Sequence, residues 1–307
     1  MRSLMTSLRG IVEGPEEIIV VDASPDDATK DAVQEFDDLP LRYFHVGSEH
    51  RGLTRQRNYA TQKTTGDIIL FLDDDIIPAP DFFVELRACW LRHPEAVGVG
   101  GYLGEDDWVP VSRATRGLQW FCVEGWARRE PLRWQVRRLL GLASQAPPGW
   151  MPPEGNGRPS QCYPPDGEDR IVEFVMGGVS SWRAAIARQI GFSLYFEGYG
   201  LYEDMDFSIR AGKYGLIYLC TRARAEHRHD PAGRPRHYRY GYMVSVNGWY
   251  VWRLRWRDPG WKARLKWWLT SFLLLGIRFT GGRDGFVEAC GRLVGLLRIL
   301  VRPPSAM

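Results

Sequence analysis

Three consecutive carboxylates, Asp73-Asp74-Asp75, close the apolar run DIILFL at residues 67–72. Like charges packed at the end of a buried strand raise one another's pKa or destabilise the fold unless something positive neutralises them. In an extended segment alternate side chains share a side, so Asp73 and Asp75 are predicted to face one way and Asp74 the other. A D-x-D pair of this kind suits Mg²⁺ or Mn²⁺, which take oxygen ligands and keep positions open for phosphate oxygens. Such an ion stabilises negative charge that develops on those oxygens. Taken alone, the triplet also reads as a solvated acidic turn ahead of Pro78. A second acidic pair, Glu203-Asp204, follows the glycine-punctuated stretch Phe196–Gly200 and opens a predicted helix. Carboxylates cap helix N-termini favourably; the chemical alternative is a general base that removes a proton from a hydroxyl.

The elements that must position these acids follow from the pattern of apolar residues. A helix is predicted over Leu4–Val12. Strands follow at Glu17–Val21 (EIIVV, with Asp22 at its carboxyl end), Leu41–Val46 and Asp67–Leu72. Helices lie between them at Asp26–Phe36 and Leu53–Thr64. Continuous β-branched runs mark strands buried on both faces. Strands alternating with helices imply an α/β fold with a doubly wound, mostly parallel sheet and helices on both faces. In such sheets ligands bind beyond the carboxyl ends of the strands, where Asp22 and Asp73–Asp75 fall. Further on, a helix is predicted at Pro80–His93 and strands at Val97–Gly101, Glu173–Met176 and Leu216–Leu219. Helices are predicted at Arg183–Ile190 and from Glu203 to near Gly215. A long insert, about residues 102–170, reads as helical in parts around Leu118–Leu140. It ends in an irregular loop, residues 146–170, with seven Pro and four Gly. The core boundary is placed near residue 235, giving a domain over 1–235 and a helical tail over 236–307.

Composition sets the frame for these readings. The chain has 307 residues, 44% hydrophobic and 25% charged, ordinary for a folded protein. Its net charge of +3 is unevenly spread: residues 253–307 carry eleven Arg or Lys against three Asp or Glu, the remainder 29 against 34. A basic, apolar tail on an acidic body points to an anionic surface. The five cysteines, Cys89, Cys122, Cys162, Cys220 and Cys290, lie far apart with no CxxC pair, which argues against a disulfide framework or a structural zinc site. No secretory signal is legible at the start. The longest apolar run, Trp267–Ile277, spans about 16 Å as a helix, roughly half a bilayer core.

In combination the motifs become specific. The order EIIVVDASPDD, RGLTRQRNYA, GDIILFLDDD, MGGVSSWR, EGYGLYEDMDFSIR and ARAEHRH resembles glycosyltransferase family 2 of the GT-A fold, in its rhamnosyltransferase-like, polysaccharide-type branch, over roughly residues 16–230. The resemblance implies that Asp22 contacts the nucleoside of a nucleotide sugar. Arg57 and Asn58 would position base or diphosphate, and Asp73 and Asp75 would serve ribose, metal and diphosphate. Gly177 and Gly178 would let backbone approach sugar or acceptor. Asp204, beside Glu203, would be the base of an inverting displacement. His227 stands where many relatives carry a histidine near the metal, and His229 is a weaker candidate; the plain reading of a lone histidine after a strand is a satisfied structural residue. Relatives usually begin with a strand of the type VVIPTYN, whereas Leu4–Val12 resembles the helix that follows it. Weak donor binding is therefore expected unless upstream residues are restored.

The insert and tail carry the remaining expectations. Trp120, Trp126, Trp134 and Trp150 could line an acceptor-binding lip, although packing is the commoner use of tryptophan. Trp249, Trp252 and Trp256 recur at i, i+3 and i+7 beside Arg253, Arg255 and Arg257, which suggests an interfacial anchor at an anionic membrane surface. Nucleic-acid binding is disfavoured because no such motif accompanies the charge. The function expected is metal-dependent, inverting transfer of a hexosyl or deoxyhexosyl group to a sugar or lipid-linked acceptor. The setting expected is the cytoplasmic face of the cell membrane, in surface polysaccharide or glycolipid synthesis. The competing expectation is a catalytically inactive nucleotide-sugar-binding or scaffold protein. Donor base, acceptor and oligomeric state are not legible.

Overall fold

The computed structural model describes residues 1–11, 13–104, 107–228 and 236–305. In chain order it begins with helix α1 (Arg2–Arg9), strand β1 (Ile18–Asp22), α2 (Ala28–Gln34), β2 (Leu41–His45), α3 (Leu53–Lys63), β3 (Ile68–Leu72) and β4 (Ile76–Pro78). Then come α4 (Phe82–Arg92), β5 (Ala96–Tyr102), the short β6 (Val109–Pro110), β7 (Trp120–Val123), β8 (Trp126–Arg129) and α5 (Leu132–Leu139). The chain continues through β9 (Asp169–Val172), β10 (Val179–Arg183), α6 (Ala184–Ile190), α7 (Glu203–Ala211) and β11 (Leu216–His227). It closes with three long helices, α8 (His237–Arg255), α9 (Trp261–Phe279) and α10 (Gly282–Val301). The chain divides into two compact units: residues 1–103 with 165–233, and residues 104–164 with 234–307.

In the first unit β1 and β2 pair in parallel, and the larger sheet runs β3-β10-β5-β11-β4 with β9 also on β11. Strands β3, β5 and β11 share one direction, because β10 is antiparallel to both β3 and β5 while β11 is parallel to β5. Strands β9 and β4 add to β11 in the opposite sense. One face of this sheet is sealed by Phe82, Phe83, Leu86 and Cys89 of α4 and Leu4, Met5 and Leu8 of α1, packed with Val99, Val179 and Cys220. Trp182, Phe192 and Phe207 form a second aromatic cluster, with Phe207 stacked on Phe192 at 4.2 Å and edge-on to Trp182 at 4.8 Å.

Three local expectations are corrected. Residues 173–176 are not a strand; the ladder is made by Asp169–Val172 on β11, and the chain then leaves the sheet edge to turn through Gly177-Gly178 into β10. Phe174 and Val175 are buried there without pairing, so their apolar pattern reported burial alone. Within the insert, expected to be helical in parts around Leu118–Leu140, Trp120–Val123 and Trp126–Arg129 form an antiparallel hairpin and the helix is confined to α5. The last strand of the first unit runs on to His227 rather than stopping at Leu219.

In the second unit the tryptophans of α8 face inward. Trp252 is 1% exposed and donates Nε1–H to the carbonyl of Pro153 at 2.8 Å; Trp256 donates to Met151 at 3.0 Å. Trp252 stacks on Trp267 of α9, and Trp249 meets Trp267 edge-on at 4.9 Å. The aromatic face expected to be interfacial is therefore a core that recruits carbonyls from the Pro-rich loop, because a buried indole N–H needs an acceptor. Trp134 is likewise buried, between the guanidinium groups of Arg137 at 3.9 Å and Arg158 at 4.0 Å. Helices α8 and α10 cross so closely that a Cβ on Gly291 would lie 1.9 Å from the carbonyl oxygen of Tyr238. Gly291→Ala must push the two helices apart, and we expect a loss of about 1–3 kcal/mol, read as a lower urea midpoint. An unchanged midpoint would show that the crossing is looser than described.

Candidate active site

The carboxyl end of β3, the Gly177-Gly178 turn, the start of α7 and the end of β11 converge within the first unit. The N–H of Asp73 donates to the carbonyl of Gly178 at 3.1 Å, which fixes the acidic strand end against the glycine turn. A Cβ on Gly178 would stand 2.5 Å from Asp73 Oδ2, and one on Gly177 would stand 2.5 Å from Glu203 Oε1. Both positions therefore need glycine for close approach. Since Asp73 is short and held on its other oxygen, Gly178→Ala is expected to displace that carboxylate and weaken nucleoside diphosphate binding more than it lowers stability. Isothermal titration with Mn²⁺ and a nucleoside diphosphate measures this; full-strength binding would show that Asp73 does not matter to the ligand.

Arg57 projects from α3 and is 6% exposed. It donates Nη2–H to Asp73 Oδ1 at 2.9 Å and Nη1–H to Glu203 Oε1 at 2.6 Å, so one buried cation bridges the two acidic motifs. Phe71 and Phe192 flank its guanidinium at 5.4 and 5.3 Å. Glu203 is 5% exposed, and its other oxygen, Oε2, is buried with no hydrogen-bond partner. Burial pushes the Glu203 carboxyl up to about 8 despite the opposing Arg57 charge, with Asp204 and Asp73 adding repulsion. An acid that carries its proton at neutral pH is the form that tolerates such a site.

Asp204, the next residue, is only partly buried. Its Oδ2 accepts from the N–H of Gly177 at 3.2 Å and its Oδ1 from the N–H of Met205 at 2.8 Å. Burial raises the Asp204 carboxyl above its ordinary value, while these two N–H donors and Arg57 pull the other way. The pair is presented by an unusual turn: Tyr202, the residue before α7, has φ +72° in the left-handed region. A bulky residue in that region stores of order 1–3 kcal/mol and persists only where its surroundings enforce it. Nothing in the spacing of the sequence signalled it.

The acidic strand end diverges instead of converging. Asp73 turns to Arg57, while Asp75 Oδ2 lies 3.0 Å from His227 Nε2, in the register where His227 opposes Ile76. Asp73, Asp75 and His227 do not gather into one three-residue cluster close enough to hold a single ion. The structure pairs Asp73 with the buried guanidinium and Asp75 with His227, so the two expected metal ligands have different protein partners. One carboxylate oxygen and one imidazole nitrogen suit Mn²⁺ and leave most of its coordination positions for phosphate and water.

The other expected residues are placed more peripherally. Asp22 is buried, its carboxylate accepting from the N–H and hydroxyl of Ser24 and the hydroxyl of Tyr43, each at 2.8 Å. Burial opposes ionisation there, but these donors hold the carboxyl below its usual range. Asn58 bonds the backbone of Phe192 through its amide, donating at 2.9 Å and accepting at 2.7 Å, and so braces α3 against the aromatic cluster. His229 lies outside the described residues.

The arrangement of sheet and helices is that of the GT-A fold. The fold is that of a mannosyltransferase from Pyrobaculum calidifontis solved with GDP-Man and Mn²⁺, with a TM-score of 0.51 at 13% identity, covering 98% of this chain and 71% of that one. TarS of S. aureus, residues 1–349, gives 0.47 at 12% identity over 96% of this chain and 87% of its own. By sequence, residues 2–143, just under half of the chain, match the model of glycosyl transferase family 2. A glucosyl-dolichyl phosphate glucuronosyltransferase of Haloferax volcanii is 34% identical over 96 residues, 31% of this chain. The match spans 29% of that relative's length.

Proposed function

We propose that the first unit transfers a sugar from a nucleotide-sugar donor to a hydroxyl of a sugar or lipid-linked acceptor, with inversion at the anomeric carbon. The observation that carries this reading is the juxtaposition, around the Gly177-Gly178 turn, of the Asp204 carboxylate with an acidic strand end that Arg57 ties to the adjacent Glu203. Asp204 takes the proton of the acceptor hydroxyl as that oxygen bonds to the anomeric carbon. The bond from that carbon to the diphosphate breaks, and the nucleoside diphosphate leaves with the electron pair. Asp75 and His227 would hold Mg²⁺ or Mn²⁺, which supplies charge stabilisation to the leaving diphosphate. Arg57 keeps Asp73 and Glu203 in place, and Gly177 and Gly178 keep the floor of the site open. Transfer assayed with a panel of nucleotide sugars, with and without Mn²⁺, tests the reading. No transfer and no donor hydrolysis, with donor binding intact, would favour the binding or scaffold alternative instead.

A membrane-proximal setting in surface polysaccharide or glycolipid synthesis is supported by the second unit. No helix of the described residues is long and apolar enough to cross a membrane. Yet Trp261, Leu265, Leu269, Phe272 and Phe279 of α9 are all at least 40% exposed and recur on one helical face. Phe286, Leu293, Leu297 and Leu300, each at least 37% exposed, likewise share one face of α10. Apolar stripes of this size, with Lys262, Arg264, Arg283 and Arg302 exposed on the same helices, suit an anionic lipid surface. Flotation with vesicles of anionic and of zwitterionic lipid checks this: Leu269→Glu with Phe272→Glu is expected to abolish recovery with anionic vesicles. Equal recovery of the variant would remove the membrane reading.

A further inference from the structure

Far from the acidic cleft, at the opposite end of β11, a second set of metal-binding side chains comes together. Cys89 lies in the last turn of α4 and His93 caps that helix, four residues later. Asp169 opens β9. One ligand atom from each of the three lies within 4.8 Å of the others. His93 Nε2 is 3.1 Å from Asp169 Oδ2, and the thiol of Cys220 on β11 lies beside Cys89 and donates to the carbonyl of Glu85 at 3.7 Å. Cys89 and Cys220 are fully buried, the Asp169 side chain is 7% exposed, and that of His93 is 23% exposed, so the cluster is walled by protein yet open on the histidine side.

We propose that Cys89, His93 and Asp169, with Cys220 adjacent, form a structural site for a borderline transition-metal ion, Zn²⁺ by its sulfur, nitrogen and oxygen donors. Ligand atoms within 4.8 Å of one another are close enough for small side-chain movements to bring them to about 2.0–2.3 Å from a common ion. The surroundings orient each ligand as metal sites require. The His93 ring stacks on Tyr218 at 3.8 Å between ring centres, and its Nδ1 stands 3.6 Å from Glu95, a carboxylate that also accepts from the Tyr218 hydroxyl at 2.6 Å. Arg92 grips Asp169 from outside at 2.8 and 3.1 Å and offsets its charge. Binding replaces protons: the Cys89 thiol gives its proton to solvent, and His93 keeps its proton on Nδ1, facing Glu95. The ion would tie the end of α4 to the edge pair β9–β11. Cys220 and His227 are seven residues apart on one strand, about 23 Å, so this site is separate from the proposed donor site.

The test is zinc content of the purified full chain after dialysis against a weak chelator, by mass spectrometry, with a parallel Co²⁺-substituted sample. We expect one zinc per chain, a thiolate-to-cobalt absorption band in the near ultraviolet, and affinity reduced at least about tenfold in Cys89→Ser and in His93→Ala. Asp75→Ala should retain the ion. Should Cys89→Ser fail to fold, the unaltered chain still decides the matter, because bound zinc must slow alkylation of Cys89. No retained zinc in the unaltered chain would leave the cluster as an ion-paired clasp only and overturn the proposal. Zinc that survives Cys89→Ser, or is lost with Asp75→Ala, would overturn it equally.

Discussion

Asp204→Asn is expected to lower kcat about 10²–10⁴-fold while leaving nucleoside diphosphate binding nearly unchanged, since it removes a base and keeps the shape of the side chain. The carboxylate is anchored by two backbone N–H groups, from Gly177 and Met205, so its position is set by the turn and the helix start and not by a neighbouring side chain. Asparagine can keep its oxygen on one of these donors. Steady-state rates at saturating donor, alongside calorimetric binding of the diphosphate in Mn²⁺, separate the two effects. A loss of kcat below about tenfold would assign proton removal to another group.

Arg57→Met carries the largest expected effect on stability. Removing one partner from a buried charge network costs about 3–5 kcal/mol, because the remaining charges stay buried without compensation. Here Asp73, 43% exposed, loses its cation and the protonated Glu203 loses the donor to its Oε1, so the cost is expected toward the low end of that range. The pH dependence has a definite sign. The Glu203 carboxyl sits at about 8 in the fold against an ordinary 4.5. Between those values the folded chain holds a proton that the unfolded chain has released, so this group's contribution to stability declines as pH rises from about 4.5 to about 8. In the variant the opposing Arg57 charge is gone, and ionising Glu203 is harder still. Below about pH 8 both folded chains hold the proton, so the gap in urea midpoint between parent and variant should stay nearly constant from about pH 5 to about pH 7 and widen only above about pH 8, where the parent alone releases it. A gap that already widens between about pH 5 and about pH 7 would show that Glu203 releases its proton in the parent fold well below the value its burial sets.

Much of the first unit was legible because its strands are β-branched runs and its helices are amphipathic: β1, β2, β3, α3 and α4 fall within two residues of where periodicity puts them. The family motifs likewise drew attention to the residues that cluster. Long-range partnership was not legible. Nothing local in DDD says that Asp73 and Asp75 part company; that follows from Arg57, sixteen residues earlier, reaching under the strand end to Asp73. Glu203 read as a helix cap, because the dipole explains an acid there without any partner 146 residues away. Residues 173–176 read as a strand since burial and pairing leave the same apolar pattern. The tryptophans of α8 misled for a related reason: an aromatic stripe says that a face is covered, not whether lipid or protein covers it.

The length of β11 has an implication for which sequence changes the chain can accept. A single strand runs from the buried Cys220 to His227, side chains alternating across the sheet, with irregular pairing against β5 between Leu219 and Arg224. Adding or deleting one residue beyond that irregularity would turn His227 to the opposite side and strand Asp75 without its imidazole, whereas a change of two would preserve handedness and only shift the contact along the strand. Length variation among functional descendants of this chain should therefore be absent from residues 224–227 and tolerated, if anywhere in the strand, where the pairing already breaks step.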